Sequence, residues 1–295
     1  MITPRSLFLF LSLLVTDVCN SQLIYNEVAK AIPLREGVSA ERGYVGMSVA
    51  IDEDVAVVGA PNMAIQGLAF VLEQINGSWK ITDTLRVSDG HHSDWFGCSV
   101  SISGSIIVVG AHRDYNSTGN QGSAYVFEYS GGKATQMAKI RPPDEDLADN
   151  FGYSVSISGS KIVVGINQAD DGPLYGAAYL YEYNSGEVTQ LARIIPSDPD
   201  FSGLFGSSVS ISDSTIVVGA PLAGFSEHLP GSAYVFEYSS GTVAEKDKIV
   251  ASDGELGNWF GESVSISGST IVVGAPRSDN MVGAAYVFEY IDGAA

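Results

Sequence analysis

The sequence predicts an all-β chain, a β-propeller of five four-stranded blades, and three observations carry that prediction. One phrase recurs: "FGESVSISGSTIVVGAP" at Phe260–Pro276 returns as "FGSSVSISDSTIVVGAP" at Phe205–Pro221, "FGYSVSISGSKIVVGIN" at Phe151–Asn167 and "FGCSVSISGSIIVVGAH" at Phe96–His112. Its Phe anchors lie 55, 54 and 55 residues apart, and a divergent copy, "VGMSVAIDEDVAVVGAP", begins 51 residues before the first of them at Val45. The last copy also lacks an element that the N-terminus has to spare. A unit of this length cannot bury both faces of its own sheet, so tandem copies must stack on one another.

The first strand of each unit alternates. In the last copy Phe260, Glu262, Val264 and Ile266 share one face, and Gly261, Ser263, Ser265 and Ser267 share the other. One bulky and one small face suit sheets stacked closely on both sides. "Ser-Gly-Ser" is then a hairpin turn with no room for a longer loop. The second strand, "TIVVGA", keeps strict register: 13 residues separate the anchor Gly from the Gly of "VVG" in every copy, from Gly46 to Gly59 through to Gly261 to Gly274. After a gap of variable length comes the third strand, "GLAFVLE" from Gly67, "GSAYVFEY" from Gly122 and Gly231, "GAAYLYEY" from Gly176 and "GAAYVFEY" from Gly283. Its β-branched and aromatic run reads as a strand buried on both faces.

The fourth strand is more polar, as an outer edge should be. It is marked by Leu85, Ile140, Ile194 and Ile249, each 11 residues before the next anchor. Leu34, in "NEVAKAIPLRE", stands 11 residues before Val45, and Pro33 beside it is tolerable on an edge. The order is therefore one fourth strand, four complete cycles, then strands one to three. Pairing the N-terminal strand with the last blade closes a ring of five, and a closed ring implies a monomer.

Ahead of this domain, Arg5, the apolar run Leu7–Val15 and the small residues Cys19-Asn20-Ser21 follow the order of a secretory signal peptide. The expected organisation is a signal peptide at 1–21 and a single propeller domain at 22–295, secreted to the extracellular space. The apolar run is too short to span a bilayer, and no other segment is long and apolar enough. Cleavage leaves Cys98 as the one cysteine, so no intramolecular disulfide is expected. Asn76-Gly77-Ser78 and Asn116-Ser117-Thr118 are sequons, which places glycans on Asn76 and Asn116 in a eukaryotic export pathway. The 295 residues carry a formal charge of −19, from 15 basic and 34 acidic side chains. That balance excludes a nucleic-acid partner, which demands clustered Lys and Arg, and disfavours anionic membrane surfaces.

The "FG" and "GAP" anchors at this spacing, followed by "AYVFEY", resemble the FG-GAP repeats of the integrin α-subunit β-propeller and the tandem FG-GAP repeat proteins of microbes. The resemblance covers Val28 to Tyr290. It implies a non-catalytic binding scaffold for protein recognition or adhesion through loops on one face. Two features depart from it. Integrin-type propellers have seven blades, whereas five are counted here. Their repeats often carry a calcium loop between the first two strands. Here that place holds "SGS" in three copies, "SDS" at Ser212–Ser214 and "DED" at Asp52–Asp54. A D-x-D-x-D-G loop does not fit a two-residue turn, so no metal site and no cofactor is carried over.

Nothing in the repeats reads as catalysis. Gly261-Glu262-Ser263-Val264-Ser265 falls short of a nucleophile elbow, which needs a strand–turn–helix setting. Ser48, Ser99, Ser154, Ser208 and Ser263 recur at one position in every unit, as small residues at a crowded blade interface would. Glu262 is the one acid on the innermost strands of blades two to five, and a glycosidase needs at least two converging carboxylates.

The richest polar feature is the crossover loop before each anchor. Asp89, Asp144, Asp198 and Asp253 stand seven residues before the Phe, and Asp94, Asp149 and Asn258 stand two before. They read either as Asx-turns bracing the crossover or as a peripheral cation site. His91, His92 and His112 lie in loops of the second blade without metal-ligand spacing. Trp95 and Trp259 either pack over the blade top or stack on sugars. Cys98 reads as a buried small apolar residue. The ligand-binding candidates are thus Asp89, Trp95, Asp144, Asp198, Asp253 and Trp259, for an unidentified extracellular protein. The alternative is a lectin-like propeller with repeated sites for a glycan between blades.

Overall fold

Two-residue turns leave the strands they join no arrangement but antiparallel pairing, and with second and third strands also antiparallel each blade is a meander. The computed structural model describes residues 43–116, 119–142, 150–167, 176–198, 203–222, 231–254 and 257–291. Blade one comprises β1 (Val49–Asp52), β2 (Val55–Ala60), β3 (Leu68–Ile75) and β4 (Ser78–Leu85). Blade two has β5 (Ser99–Ser103), β6 (Ile106–Ala111), a small added hairpin of β7 (Tyr115–Asn116) and β8 (Gly119–Asn120), then β9 (Ser123–Ser130) and β10 (Lys133–Ile140). Blade three has β11 (Ser154–Ser158), β12 (Lys161–Ile166), β13 (Ala177–Asn184) and β14 (Glu187–Ile194). Blade four has β15 (Ser208–Ser212), β16 (Thr215–Ala220), β17 (Ser232–Ser239) and β18 (Thr242–Ile249). Blade five has β19 (Ser263–Ser267), β20 (Thr270–Ala275) and β21 (Ala284–Glu289).

The fold is an all-β propeller of five blades, four with four strands and the last with three among the described residues. The strand assigned to Leu34 and the signal peptide at 1–21 lie outside the described residues. The hairpins between first and second strands are two residues long, as in Gly159-Ser160 between β11 and β12. In each complete blade the third and fourth strands slip by one residue, leaving Thr82, Met137, Leu191 and Lys246 as bulges. Bulges on outer strands sharpen the local twist and protect an edge from pairing.

The "FG" anchor is a turn. The residue before it is left-handed in every blade, with φ of 51° at Tyr44, 59° at Trp95, 68° at Asn150, 62° at Leu204 and 58° at Trp259. Its carbonyl accepts the N–H three residues on, as Trp95 does from Cys98 at 3.0 Å. The anchor Gly at the third position has φ between 85° and 96°, as at Gly152 and Gly261, which is the demand of a type II turn. The Phe is fully buried and meets the third-strand aromatic edge-on, with Phe96 and Tyr125 centroids 5.5 Å apart.

The core lies between blades rather than within them. One cluster joins Val57, Ala69, Val71 and Leu85 of blade one to Phe96, Val100, Ile102 and Ile107 of blade two, and three equivalent clusters follow along the row. Each blade therefore has a back face carrying the "VVG" valine and a front face carrying the Val-Ile pair of its first strand. The serines stitch these faces together. Ser154 Oγ donates to the Gly206 carbonyl of the next blade at 2.8 Å, as Ser48, Ser99 and Ser208 do to Gly97, Gly152 and Gly261. Ser156 and Ser158 accept from the backbone N–H groups of Ile211 and Asp213. Contact is close enough that a Cβ on Gly165 would lie 2.2 Å from the Gly206 carbonyl oxygen. The recurrence of "SVSIS" and "VVG" thus has a mechanical cause: both are halves of one inter-blade joint.

Candidate functional site

In blades two, four and five, the described parts of the crossover loop and of the loop between second and third strands are joined by backbone hydrogen bonds. Arg113 N–H donates to the Asp94 carbonyl at 3.1 Å in blade two, and Arg277 N–H to the Asn258 carbonyl at 3.2 Å in blade five. These bonds place an arginine against the tryptophan of each crossover. The Arg113 guanidinium carbon lies 4.3 Å from the Trp95 ring centre, and that of Arg277 lies 3.4 Å from Trp259. Both tryptophans are half-buried. Trp95 also meets the edge of His112 at 5.3 Å.

His112 sits inside this layer, with Tyr153 on its other side. Burial pushes its imidazole down to about 4, with the Arg113 charge adding to the effect, so the ring is neutral at physiological pH. His91 and His92 are exposed. The Cys98 thiol, directed at the Gly152 carbonyl, is pushed up to about 11 by burial and is no nucleophile at neutral pH.

Asp89, Asp198 and Asp253, each seven residues before its anchor, pin the crossover to the blade that follows. Tyr234 OH donates to Asp198 Oδ1 at 2.8 Å, and Lys248 donates to Asp198 Oδ2. Tyr286 OH donates to Asp253 Oδ1 at 2.8 Å. In blade two Lys139 Nζ bridges Asp89 Oδ2 at 2.7 Å and Asp114 Oδ2 at 2.6 Å, and Tyr125 OH donates to Asp114 at 3.0 Å. Burial raises the Asp89 carboxyl, but the Lys139 ammonium outweighs it and holds the group below its usual range. The Tyr125 and Tyr234 hydroxyls are driven far up by burial beside these carboxylates and stay protonated as donors. Asp144 lies outside the described residues.

The residues two before the anchor act differently. Asp94 is buried and accepts from the His91 backbone N–H, while its Oδ1 meets no donor. Burial raises its carboxyl above the ordinary value. Asp94, Asp114 and the His91 ring each bring a ligand atom within 4.8 Å of the others, and this trio is the described group that could hold a cation. Asn258 takes the same buried place in blade five and reaches Ser278 Oγ at 3.5 Å.

The sequence reading singled out the loops, but not Arg113, Arg277, Lys139, Lys248 or the three tyrosines. A signal existed for them. Asp and Tyr stand 36 residues apart in blades two and four, and Asp and Lys stand 50 apart in both. A model described as the FG-GAP repeat matches the chain at residues 79–127, 134–181, 188–236 and 243–288. Each match starts on a fourth strand and ends on the third strand of the next blade, so its unit spans an inter-blade joint. A search of curated proteins finds no match.

Proposed function

The chain belongs to the FG-GAP repeat family, and from that premise we propose that it is a non-catalytic propeller scaffold whose rim loops recognise another protein. The carrying observation is the pair of Trp–Arg stacks at one equivalent position in blades two and five. Trp and Arg dominate the energetics of protein interfaces. Here the Trp95 loop is held by Asp89 on Lys139 and the Trp259 loop by Asp253 on Tyr286, so little side-chain freedom remains to be lost on binding. The guanidinium occupies a ring face that a sugar would need, which favours a protein partner over the lectin-like alternative. Asp89, Asp198 and Asp253 contribute by fixing the loops, with Asp144 as their counterpart in blade three.

The partner is extracellular, with residues 1–21 as the export signal and Asn76 and Asn116 as glycan acceptors. Asn76 supports this placement: it is exposed at the tip of the β3–β4 hairpin, where Asn76 and Gly77 with φ of 52° and 75° form a type I′ turn. Among the described residues no helix is long and apolar enough to cross a membrane.

The test is chemical cross-linking of the purified secreted chain to extracellular protein, beside a Trp95→Ala/Trp259→Ala variant whose melting curve matches the parent. Loss of either anchor should weaken the captured complex by about 2 kcal/mol, roughly 30-fold in Kd. An unchanged affinity would remove the rim from consideration. Binding of a single sugar by a glycan array, abolished in the same variant, would instead establish the lectin. A mass decrease on endoglycosidase treatment checks export and the sequons.

A further inference from the structure

Four inter-blade joints inside this chain repeat one design, and at each end of the row half of a joint stands alone. On the front face of blade one, Val49 and Ile51 are 68% and 64% exposed, whereas their counterparts in blade two, Val100 and Ile102, are 8% and 7% exposed. On the back face of blade five, Val272 and Val287 are 38% and 61% exposed, whereas the equivalent residues of the other four blades are fully buried. Ser263, Ser265 and Ser267 beside them are exposed as well. Among the described residues, β1, β5, β11 and β15 each pack against the first strand of the next blade, but β19 does not pack in this way against β1.

We infer that these two half-joints mate between two copies of the chain, the back of blade five in one against the front of blade one in the other. Chemistry, rather than bare hydrophobicity, identifies the occupant. Inside the chain the first serine donates to the next anchor glycine, and the other two accept N–H groups. By the same register Ser263 donates to the Gly46 carbonyl of the second copy, and Ser265 and Ser267 accept from its Ile51 and Glu53 N–H groups. Val272 then covers Val49 and Ile51, as Val57 covers Val100 and Ile102 within the chain. A generic apolar partner would leave three hydroxyls and their facing backbone groups unmatched.

The joint is heterologous, because front and back are different surfaces. It also differs from the monomeric ring expected from the sequence. Four such joints are made within the chain, and among the described residues β1 and β19 do not make the contact that the other neighbouring first strands make. Phe70 and Leu72, on the outer part of the front face, are already buried. Contact is therefore confined to the inner strands, and a reversible, concentration-dependent association is expected.

The experiment is light scattering and sedimentation velocity of the full chain over a wide concentration range, with Ile51→Asp and Val272→Asp. The parent should pass from the mass of one chain to that of two or more. Each variant alone should remain a monomer with the parent's melting temperature, because the substituted side chain is exposed. Mixed in equal amounts they should recover a dimer and nothing larger, since one contributes an intact back face and the other an intact front face. Should Ile51→Asp express poorly, Val49→Lys probes the same face. A parent that stays monomeric throughout, with Ile51→Asp lowering its melting temperature, would show closure within one chain and overturn the inference. Dimerisation by either variant alone would show that like faces meet, and would overturn it equally.

Discussion

Replacing Gly165 by Ala adds one methyl group at the joint between blades three and four. The new Cβ would stand 2.2 Å from the Gly206 carbonyl oxygen and 2.2 Å from Ser154 Oγ. Carbon and carbonyl oxygen rest about 3.3 Å or more apart, so the anchor turn of blade four must retreat by about 1 Å. Overpacking of this kind costs about 1–3 kcal/mol. The retreat also stretches the 2.8 Å bond from Ser154 to Gly206, which contributes about 1 kcal/mol. Together they amount to about 2–4 kcal/mol, or roughly 5–15 °C in melting temperature for a domain of this size. Thermal and urea unfolding, followed by circular dichroism and by tryptophan fluorescence, measure the loss with two probes, because blades of a repeat array need not unfold together. Ser154→Ala alone should cost about 1 kcal/mol. The double variant should be less destabilised than the sum, since removing Oγ clears one of the two obstacles. Gly159→Ala, at φ +57° with open space around it, should cost only the left-handed penalty of about 1–2 kcal/mol. If Gly165→Ala melts within a degree of the parent, the close joint is not what the repeated "VVG" glycine serves.

His112 links stability to pH. Its imidazole is lowered from 6.5 to about 4, so its contribution is complete above pH 6.5 and lost as pH falls towards 4, roughly 3 kcal/mol when fully expressed. His112→Phe, measured by melting between pH 7 and 4.5, should blunt that acid loss, and an undiminished loss would locate it elsewhere. Tyr234→Phe and Asp198→Ala should each destabilise by about 1 kcal/mol and should fall short of additivity, because both remove the Tyr234–Asp198 bond, as urea midpoints of the single and double variants will show. EDTA should leave the melting temperature unchanged, because two-residue hairpins cannot furnish calcium loops. A fall of several degrees that Ca²⁺ restores would refute this and direct attention to His91, Asp94 and Asp114.

Among the described residues, the repeated strands of the blades, their order, the two-residue hairpins and the polarity of the fourth strand were legible in the sequence. Each is set within a few residues: alternation of Val264 and Ile266 with Ser265 and Ser267, Ser-Gly-Ser turns, and β-branched runs such as "TIVVGA". Repetition made the signal stronger, since one register had to satisfy every copy. Cys98, read as buried from its parity with Val100, is instead half-buried. What the serines do was not legible. Parity put Ser154, Ser156 and Ser158 on the small face, but only the packed blades show that one donates to a carbonyl and two accept N–H groups more than 50 residues away. Separations of 36 and 50 residues likewise hid the tyrosine and lysine that hold Asp198, and the meeting of two different loops hid the arginines over Trp95 and Trp259. The unmatched faces of blades one and five could not be seen from any one repeat, because Ile51 and Val272 are written like their buried counterparts. Local backbone preference and side-chain alternation act within a strand and are carried by the sequence itself. Partnership between side chains on different blades depends on how the blades pack against one another, and that is decided only by the assembled structure.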